Sequence, residues 1–361
     1  MRAPLVSANA TARTKEDPML AHPCRVLPAV LVALLAAAAG GVPRARAADE
    51  AKPAQAAKPA PAAAAQKHFA SPDAAVSALI AAARAKDWKA ELLPILGPEA
   101  KTILDSGDPV ADAEGLERFV ASYDEGHELE QPDADWAELS VGKDDWPFPI
   151  PIVKESAGWR FDTDEGDEEI LARRIGRNER FTIQTMLAIV DAQREYYEDN
   201  PDKAPLLHYA RRILSSEGKR DGLYYPTAEG EEPSPLGPLI GEARGEGYRR
   251  EAGKPAPAFH GYYYRLLEVQ GPHATDGAYA YVVDGRMLGG FAVLAYPATW
   301  DNSGIMSFMV NQDGVVYEKD LGAEGAKVAQ AIRSFDPDGS WKKVPEEDQA
   351  PEPPDDSVAD E

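Results

Sequence analysis

Apolar residues recur along this chain first at helical spacing and then at every second position, and the sequence runs through that order twice. After Ser71, Val76, Leu79, Ile80 and Ala83 fall at i, i+3, i+4 and i+7, the stripe of a helix buried on one face. Ser71-Pro72-Asp73 supplies the start: a capping hydroxyl, a proline where the N–H has no helical partner, and an acid in the first turn. Asp87-Trp88 opens a second short helix carrying Leu92, Leu93 and Leu96, limited by Pro94 and Gly97-Pro98. A third helix is expected over 111–123, with Leu116, Phe119, Val120 and Tyr123 inward. The period then changes to two, and 136–141, 148–153 and 158–161 read as antiparallel strands. Pro147, Pro149 and Pro151 restrict the middle one to a sheet edge, because proline donates nothing to a ladder.

The second pass begins with a helix over 178–198, where Ile183, Met186, Leu187, Val190 and Tyr197 share a face. The charged stretch before it, 168–180, reads as a junction; its Glu169–Arg173 pair is worth a few tenths of a kcal/mol. A shorter helix is expected over 206–214, with Leu206, Ala210, Ile213 and Leu214 inward. A Gly- and Pro-rich loop follows to about residue 258, interrupted by an apolar run at 236–243. Strands resume at 261–269 and 279–283, then at 291–296, 305–310 and 315–319. Asp313-Gly314 between the last two is a hairpin signal, since that turn needs positive φ. Both faces of 291–296 are apolar, so each needs a cover, and the 178–198 helix is the expected one. Helices followed by strands, twice, give an α+β class with two domains, 68–170 and 171–335.

The two ends read differently. Arg25, the apolar run 26–39 and Ala45-Arg46-Ala47 make a secretory signal peptide over 1–47, cleaved after Ala47. The alternative is a membrane anchor, but the run is shorter than the roughly 20 residues that span a bilayer. Met19 is a second candidate start. Residues 48–67 form an Ala/Pro/Lys linker, and 336–361 an acidic, Pro-rich tail expected to be disordered. The single cysteine, Cys24, leaves with the signal, so the mature chain has neither disulfide nor thiol chemistry. The full chain carries a net charge of −23, and removing the signal takes six Lys/Arg and two Asp/Glu, leaving −27. Such a surface repels nucleic acid and anionic lipid, so the expected partner is an envelope protein or a small ligand. The expected location is outside the inner membrane, in the periplasm, with no stable membrane insertion after cleavage.

Hydrolase, zinc-protease and phosphate-loop motifs are missing from the sequence, and the mature histidines lack metal-ligand spacing. The acidic run from Asp162 to Glu168 fails the calcium-loop template. No catalytic residue, metal or cofactor is therefore assigned. Two groups remain as candidates. One is the loop 218–239, which gathers Lys219, Arg220, Asp221, Tyr224 and Tyr225 in a proline-rigidified stretch, since loops on a rigid scaffold carry binding. The other is a pocket drawn from Tyr123, His127, Asp145 and His260. The preferred function is non-enzymatic binding or assembly, and the alternative a hydrolase or isomerase working in the first domain or beneath the loop.

Three resemblances sharpen these expectations. The first domain, with Gly158-Trp159-Arg160-Phe161-Asp162, resembles the cone-shaped fold of nuclear transport factor 2. The second is similar to the globular head of type IV pilins and pseudopilins, through DAQREYY at 191–197, GYYYRL at 261–266 and SFMVNQDGVVY at 307–317. Pilins begin with a long apolar stem; a soluble domain stands in its place here, which implies a head that does not polymerise. Residues 69–335 as a whole resemble an exported bacterial family of unknown role, domain of unknown function 2950. SGDPVAD, DDWPFPIP, ARRIGRNE, GKRDGLYYP, HGYYYRL and GGFAVLAYPA carry that likeness.

Overall fold

The computed structural model describes residues 66–228, 230–249 and 256–349. The signal peptide, most of the linker and the end of the acidic tail lie outside the described residues. Helices α1 (Pro72–Ala83), α2 (Trp88–Leu96), α3 (Lys101–Leu104) and α4 (Pro109–Glu125) come first. The Ser71 hydroxyl accepts the Ala74 N–H at 3.2 Å, the expected cap, worth about 1 kcal/mol. Strands β1 (His127–Asp133), β2 (Trp136–Val141), β3 (Trp146–Pro147), β4 (Ile152–Glu155) and β5 (Gly158–Phe161) follow. They form an antiparallel sheet in the order β1-β2-β4-β5, with β3 pairing the far end of β2. Leu79, Leu92, Ile95, Leu139, Ile152 and Phe161 are buried together between these helices and the sheet.

Two expectations fail here for local reasons. The 148–153 strand begins only at Ile152 and lies between β2 and β5, not at an edge. Pro149 and Pro151 sit before it, so their missing N–H groups never face the ladder. Strand β1, HELEQPD, is almost wholly exposed and lacks the apolar alternation that would reveal it.

Helix α5 runs from Thr163 to Asp199 without a break, about 55 Å at 1.5 Å per residue. The charged stretch 168–180, expected to join two domains, is its first half, and the boundary expected near 170 falls inside it. Nothing in EEILARRIGRNER breaks a helix. Gly166 also lets α5 pass close to the preceding loop: a Cβ there would lie 2.5 Å from the Pro149 carbonyl oxygen. Asn200, left-handed at φ 46°, ends the helix.

Beyond α5 come α6 (Gly237–Gly245) and strands β6 (Tyr262–Leu267), β7 (Val269–Gln270), β8 (Tyr279–Ala280), β9 (Val282–Val283), β10 (Arg286–Met287), β11 (Ala292–Pro297), β12 (Met306–Asn311) and β13 (Tyr317–Asp320). Helix α7 (Gly325–Ala331), strand β14 (Lys342–Lys343) and a 3-10 turn at Glu346–Gln349 close the described chain. The main sheet is ordered β14-β13-β12-β11-β6, antiparallel throughout. Helices α5 and α7 both pack on β11, and all of its residues are buried. Ile183, Met186, Ile189 and Val190 share this core with Phe291, Val293, Phe308 and Val310. Residues 336–349 are not a loose tail: β14 pairs β13, and Val344 is buried.

The 206–214 segment is not a helix. Its backbone bonds outward instead: Tyr209 N–H to Met287 O at 2.9 Å, while the carbonyls of Arg212 and Ile213 accept from Leu223 and Tyr224. A segment whose donors and acceptors are taken by other strands cannot also bond to itself. The two helix-and-sheet halves are tied by polar contacts, all described residues falling in one unit. Arg174 on α5 donates to the Thr102 and Ile103 carbonyls and to Asn302, whose amide donates to Asp105 O at 3.0 Å.

Candidate functional site

Strand β6 is the edge of the main sheet, and a groove of about 550 Å³ opens beside it. Tyr262 to Leu266 of β6 form one wall, Thr185 and Ile189 of α5 part of the base. Leu236, Leu239, Ile240 and Ala243, on and just before α6, face them, with Ile213 and Leu214 of the extended 211–214 segment. Tyr248, Ala256, Pro257 and Phe259 complete the uncharged lining. Nearly all of these are apolar, as expected of a small-ligand site. The polar exceptions are arginines: Arg211, Arg212, Arg244, Arg249 and Arg265 all line the groove.

These five cations are unevenly balanced. Arg211 meets Glu268 at 2.6 Å, and Arg212 lies 3.9 Å from Asp221. Arg244 stacks on the Tyr224 ring at 4.7 Å and donates to its hydroxyl. Arg265 donates to the Ala329 and Ile332 carbonyls, both at 2.7 Å, and its Nε is buried with no hydrogen-bond partner among the described residues. Burial and then Arg333 hold its pKa below the ordinary value. Arg244, Arg249 and Arg265 have no ion pair with a carboxylate among the described residues, so the groove is positive in a strongly acidic chain.

Behind the groove lies a buried polar cluster. Asp108, 1 % exposed, caps α4 by accepting from Val110 N at 3.2 Å and Ala111 N at 3.1 Å. Its other oxygen accepts the Tyr248 hydroxyl and the Gly261 N–H, both at 2.9 Å. Burial raises the Asp108 carboxyl above its ordinary value against these bonds. His260 and Gly261, at φ 46° and 76°, form a two-residue turn closed by reciprocal bonds between Phe259 and Tyr262. The His260 ring stacks on Phe181 at 4.3 Å, and its Nε2 lies 3.5 Å from Glu246. Burial, with a contribution from Arg118, pushes the His260 pKa down to about 4. Burial and the nearby Glu114, Glu242 and Asp108 push Glu246 up to about 7.

The model of a family described as protein of unknown function (DUF2950) matches residues 66–344. The chain belongs to that family. No curated protein and no solved structure matches it.

In this DUF2950 chain the residues singled out from sequence fall in three places. Tyr123, half-buried at the end of α4, stacks at 3.8 Å on the exposed His127 ring. Asp145 is exposed, at φ 52° in the turn before β3. His260 stands in the separate buried cluster, beside Glu246. The 218–239 loop lies against the second core through Leu223 and Tyr224, and Leu223 and Tyr225 are buried. Arg220 stacks on Tyr225 at 4.9 Å and pairs with Glu231 at 3.2 Å. Asp221 is raised by burial, but bonds from the Ser216 N–H and hydroxyl, with Arg212, hold it below its usual range overall. Lys219 is exposed. Tyr224 and Tyr225 line a second cavity of about 360 Å³, which shares Arg244 with the groove.

The groove arginines, Asp108, Glu246 and Tyr248 were not picked out from sequence. The available signal was charge: Arg211-Arg212, Arg244 and Arg249-Arg250 cluster in a chain with far more acids than bases. No group of three or more His, Cys, Asp or Glu arranged to hold a metal occurs among the described residues.

Proposed function

We propose that this DUF2950 protein is a non-enzymatic binding protein of the bacterial envelope, with its ligand in the groove between β6 and α6. The observation that carries the reading is an apolar groove lined by five arginines in a chain of net charge −23. Excess positive charge beside an apolar wall suits a ligand that is both apolar and anionic. The probe is 1-anilinonaphthalene-8-sulfonate, whose rings and single sulfonate match that description. It should bind the full chain at one saturable site. Ile240→Glu, which sets a carboxylate in the apolar wall, should abolish binding, and Lys219→Ala should leave it unchanged. Binding unaffected by both Ile240→Glu and Arg244→Glu would remove the groove from consideration.

Export follows from the Arg25-led apolar run and Ala45-Arg46-Ala47. The mature protein should begin at Ala48 and leave the cell by osmotic shock; an intact Met1 or Met19 in the membrane fraction would mean an anchor. The pilin-head likeness of the second half favours an accessory to assembly over a filament subunit. Where a pilin has its apolar stem, the first half of α5 carries Asp164, Glu165, Glu169, Arg173 and Arg177. Electron microscopy of residues 48–361 should show no filaments.

A hydrolase or isomerase is the second reading, and one observation favours it: the Glu246 carboxyl, pushed up to about 7, lies 3.5 Å from the His260 ring. A carboxyl titrating there can donate or take a proton near neutrality. Hydrolysis of an aryl ester that is lost in both Glu246→Gln and His260→Ala would support it.

A further inference from the structure

The ligand of the groove can be narrowed by the backbone of β6, given the binding role proposed above. In the β6–β11 ladder Ala298 N–H donates to Gly261 O, and the register pairs Tyr263 with Tyr296, Arg265 with Leu294 and Leu267 with Ala292. Residues of an antiparallel strand alternate in the side to which their N–H and C=O point. Gly261, Tyr263, Arg265 and Leu267 therefore bond toward β11, and Tyr262, Tyr264, Leu266 and Glu268 point outward. At the two ends this outer row is occupied: Tyr262 bonds reciprocally with Phe259, and Glu268 O accepts from Tyr281 N–H at 2.8 Å. Between them, the N–H and C=O of Tyr264 and Leu266 face the groove with no backbone partner among the described residues.

We infer that the groove takes an extended peptide segment, added as a strand to the free edge of β6, with apolar and acidic side chains in alternation. An acyl chain would fit the apolar wall, but it would cover two N–H and two C=O groups without bonding them, which is costly. A peptide backbone satisfies all four, as in other cases of strand addition. Successive side chains of an added strand point to opposite sides. Apolar side chains of the segment can then meet Ile189, Leu236 and Ile240, and acidic ones Arg212, Arg244 and Arg249, all of which line this one groove. A second copy of this chain is disfavoured, because the antiparallel register that pairs Tyr264 of one β6 with Leu266 of the other would set the two Arg265 residues opposite each other.

The test uses the full mature chain with bound anilinonaphthalene sulfonate and the peptide acetyl-Val-Asp-Val-Glu-Val-Asp-Val-amide. The peptide should displace the dye. Two isomers, N-methylated at the last three valines or at the three acids, separate strand addition from simple charge and greasiness, because only one set of N–H groups faces β6. One isomer should bind at least ten-fold more weakly than the parent, and the other about equally. Replacing the acids by lysine should also cost at least ten-fold. Leu266→Pro removes one outward N–H and spares the β11 ladder, a position where edge strands accept proline. It should weaken the peptide at least ten-fold, well beyond any change in dye affinity. Displacement of the dye by dodecanoate but not by the peptide, or equal weakening by both methylated isomers, overturns the inference and leaves the binding groove standing. A dimer that dissociates on Leu266→Pro assigns the edge to a second copy and overturns the proposed occupant. Dye that never enters the groove overturns the binding reading itself.

Discussion

The Tyr248 hydroxyl donates to the Asp108 carboxylate at 2.9 Å across 140 positions of sequence, both side chains being buried. The bond joins the start of α4 to the segment that walls the groove. The same carboxylate also caps α4 and accepts from Gly261, so one side chain holds a helix start, a groove wall and the turn before β6.

Asp108→Ala should therefore lower stability by about 3 kcal/mol, combining a lost cap with the orphaned Tyr248 and Gly261 donors. Urea unfolding measures it. Asp105→Ala, at an exposed carboxylate nearby, serves as the control and should shift stability by less than about 0.5 kcal/mol.

Glu246 should make stability fall as pH rises from its ordinary 4.5 to about 7, because across that window the folded chain holds a proton that the unfolded chain has released. His260 acts in the opposite sense: with a folded value of about 4, it costs stability as pH falls from 6.5 through that value. Burial is the first cause of both shifts; Glu114, Glu242 and Asp108 add to that of Glu246 against Arg118, and Arg118 adds to that of His260. Denaturation across pH 4 to 8 should show Glu246→Gln gaining on the parent between 4.5 and 7 and holding a constant advantage above. A difference independent of pH would refute the assignment.

Two glycines should respond to alanine with opposite signs. Gly261 has φ 76°, and an added Cβ would meet the Asn178 amide at 2.6 Å, so Gly261→Ala should cost at least about 1 kcal/mol. Gly176 is inside α5 with nothing within 4 Å of an added Cβ. Gly176→Ala should stabilise by about 0.5–1 kcal/mol. Thermal unfolding of the two variants is the check.

Arg174→Ala should loosen the contact between the two halves without unfolding either core. It strips the Thr102 and Ile103 carbonyls and Asn302 of their shared donor. Hydrogen exchange should rise in α3 and around Asn302, and stay low in β11 and β12.

The elements with strong local signals could be read directly. Ser71-Pro72 starts α1, the apolar stripe from Ile183 fixes the covering half of α5, and Asp313-Gly314 turns β12 into β13, with Gly314 at φ 76° as that turn needs. The apolar faces of β11 called for the 178–198 helix as cover, and α5 packs there, with α7 also on the strand. Each of these rests on neighbours in sequence, where period and turn chemistry decide.

What tertiary structure decided was set by partners far along the chain. Leu206 to Leu214 has a helical apolar pattern, yet its backbone is claimed by Met287, Leu223 and Tyr224, so it lies extended and becomes a wall of the groove. The charged first half of α5 looked like a linker because its stability comes from Arg174 and Asn178 reaching Ile103, Asn302 and Ser303. The candidate groove was hidden for the same reason. Its arginines, its apolar wall and the open edge of β6 come from four separate stretches, and only folding places them around one space. By itself the sequence determined the α+β elements, the acidic character and the family; the meeting of Asp108 with Tyr248, of Glu246 with His260 and of five arginines with one strand edge was decided by packing, because no local rule of spacing encodes contacts between residues so far apart.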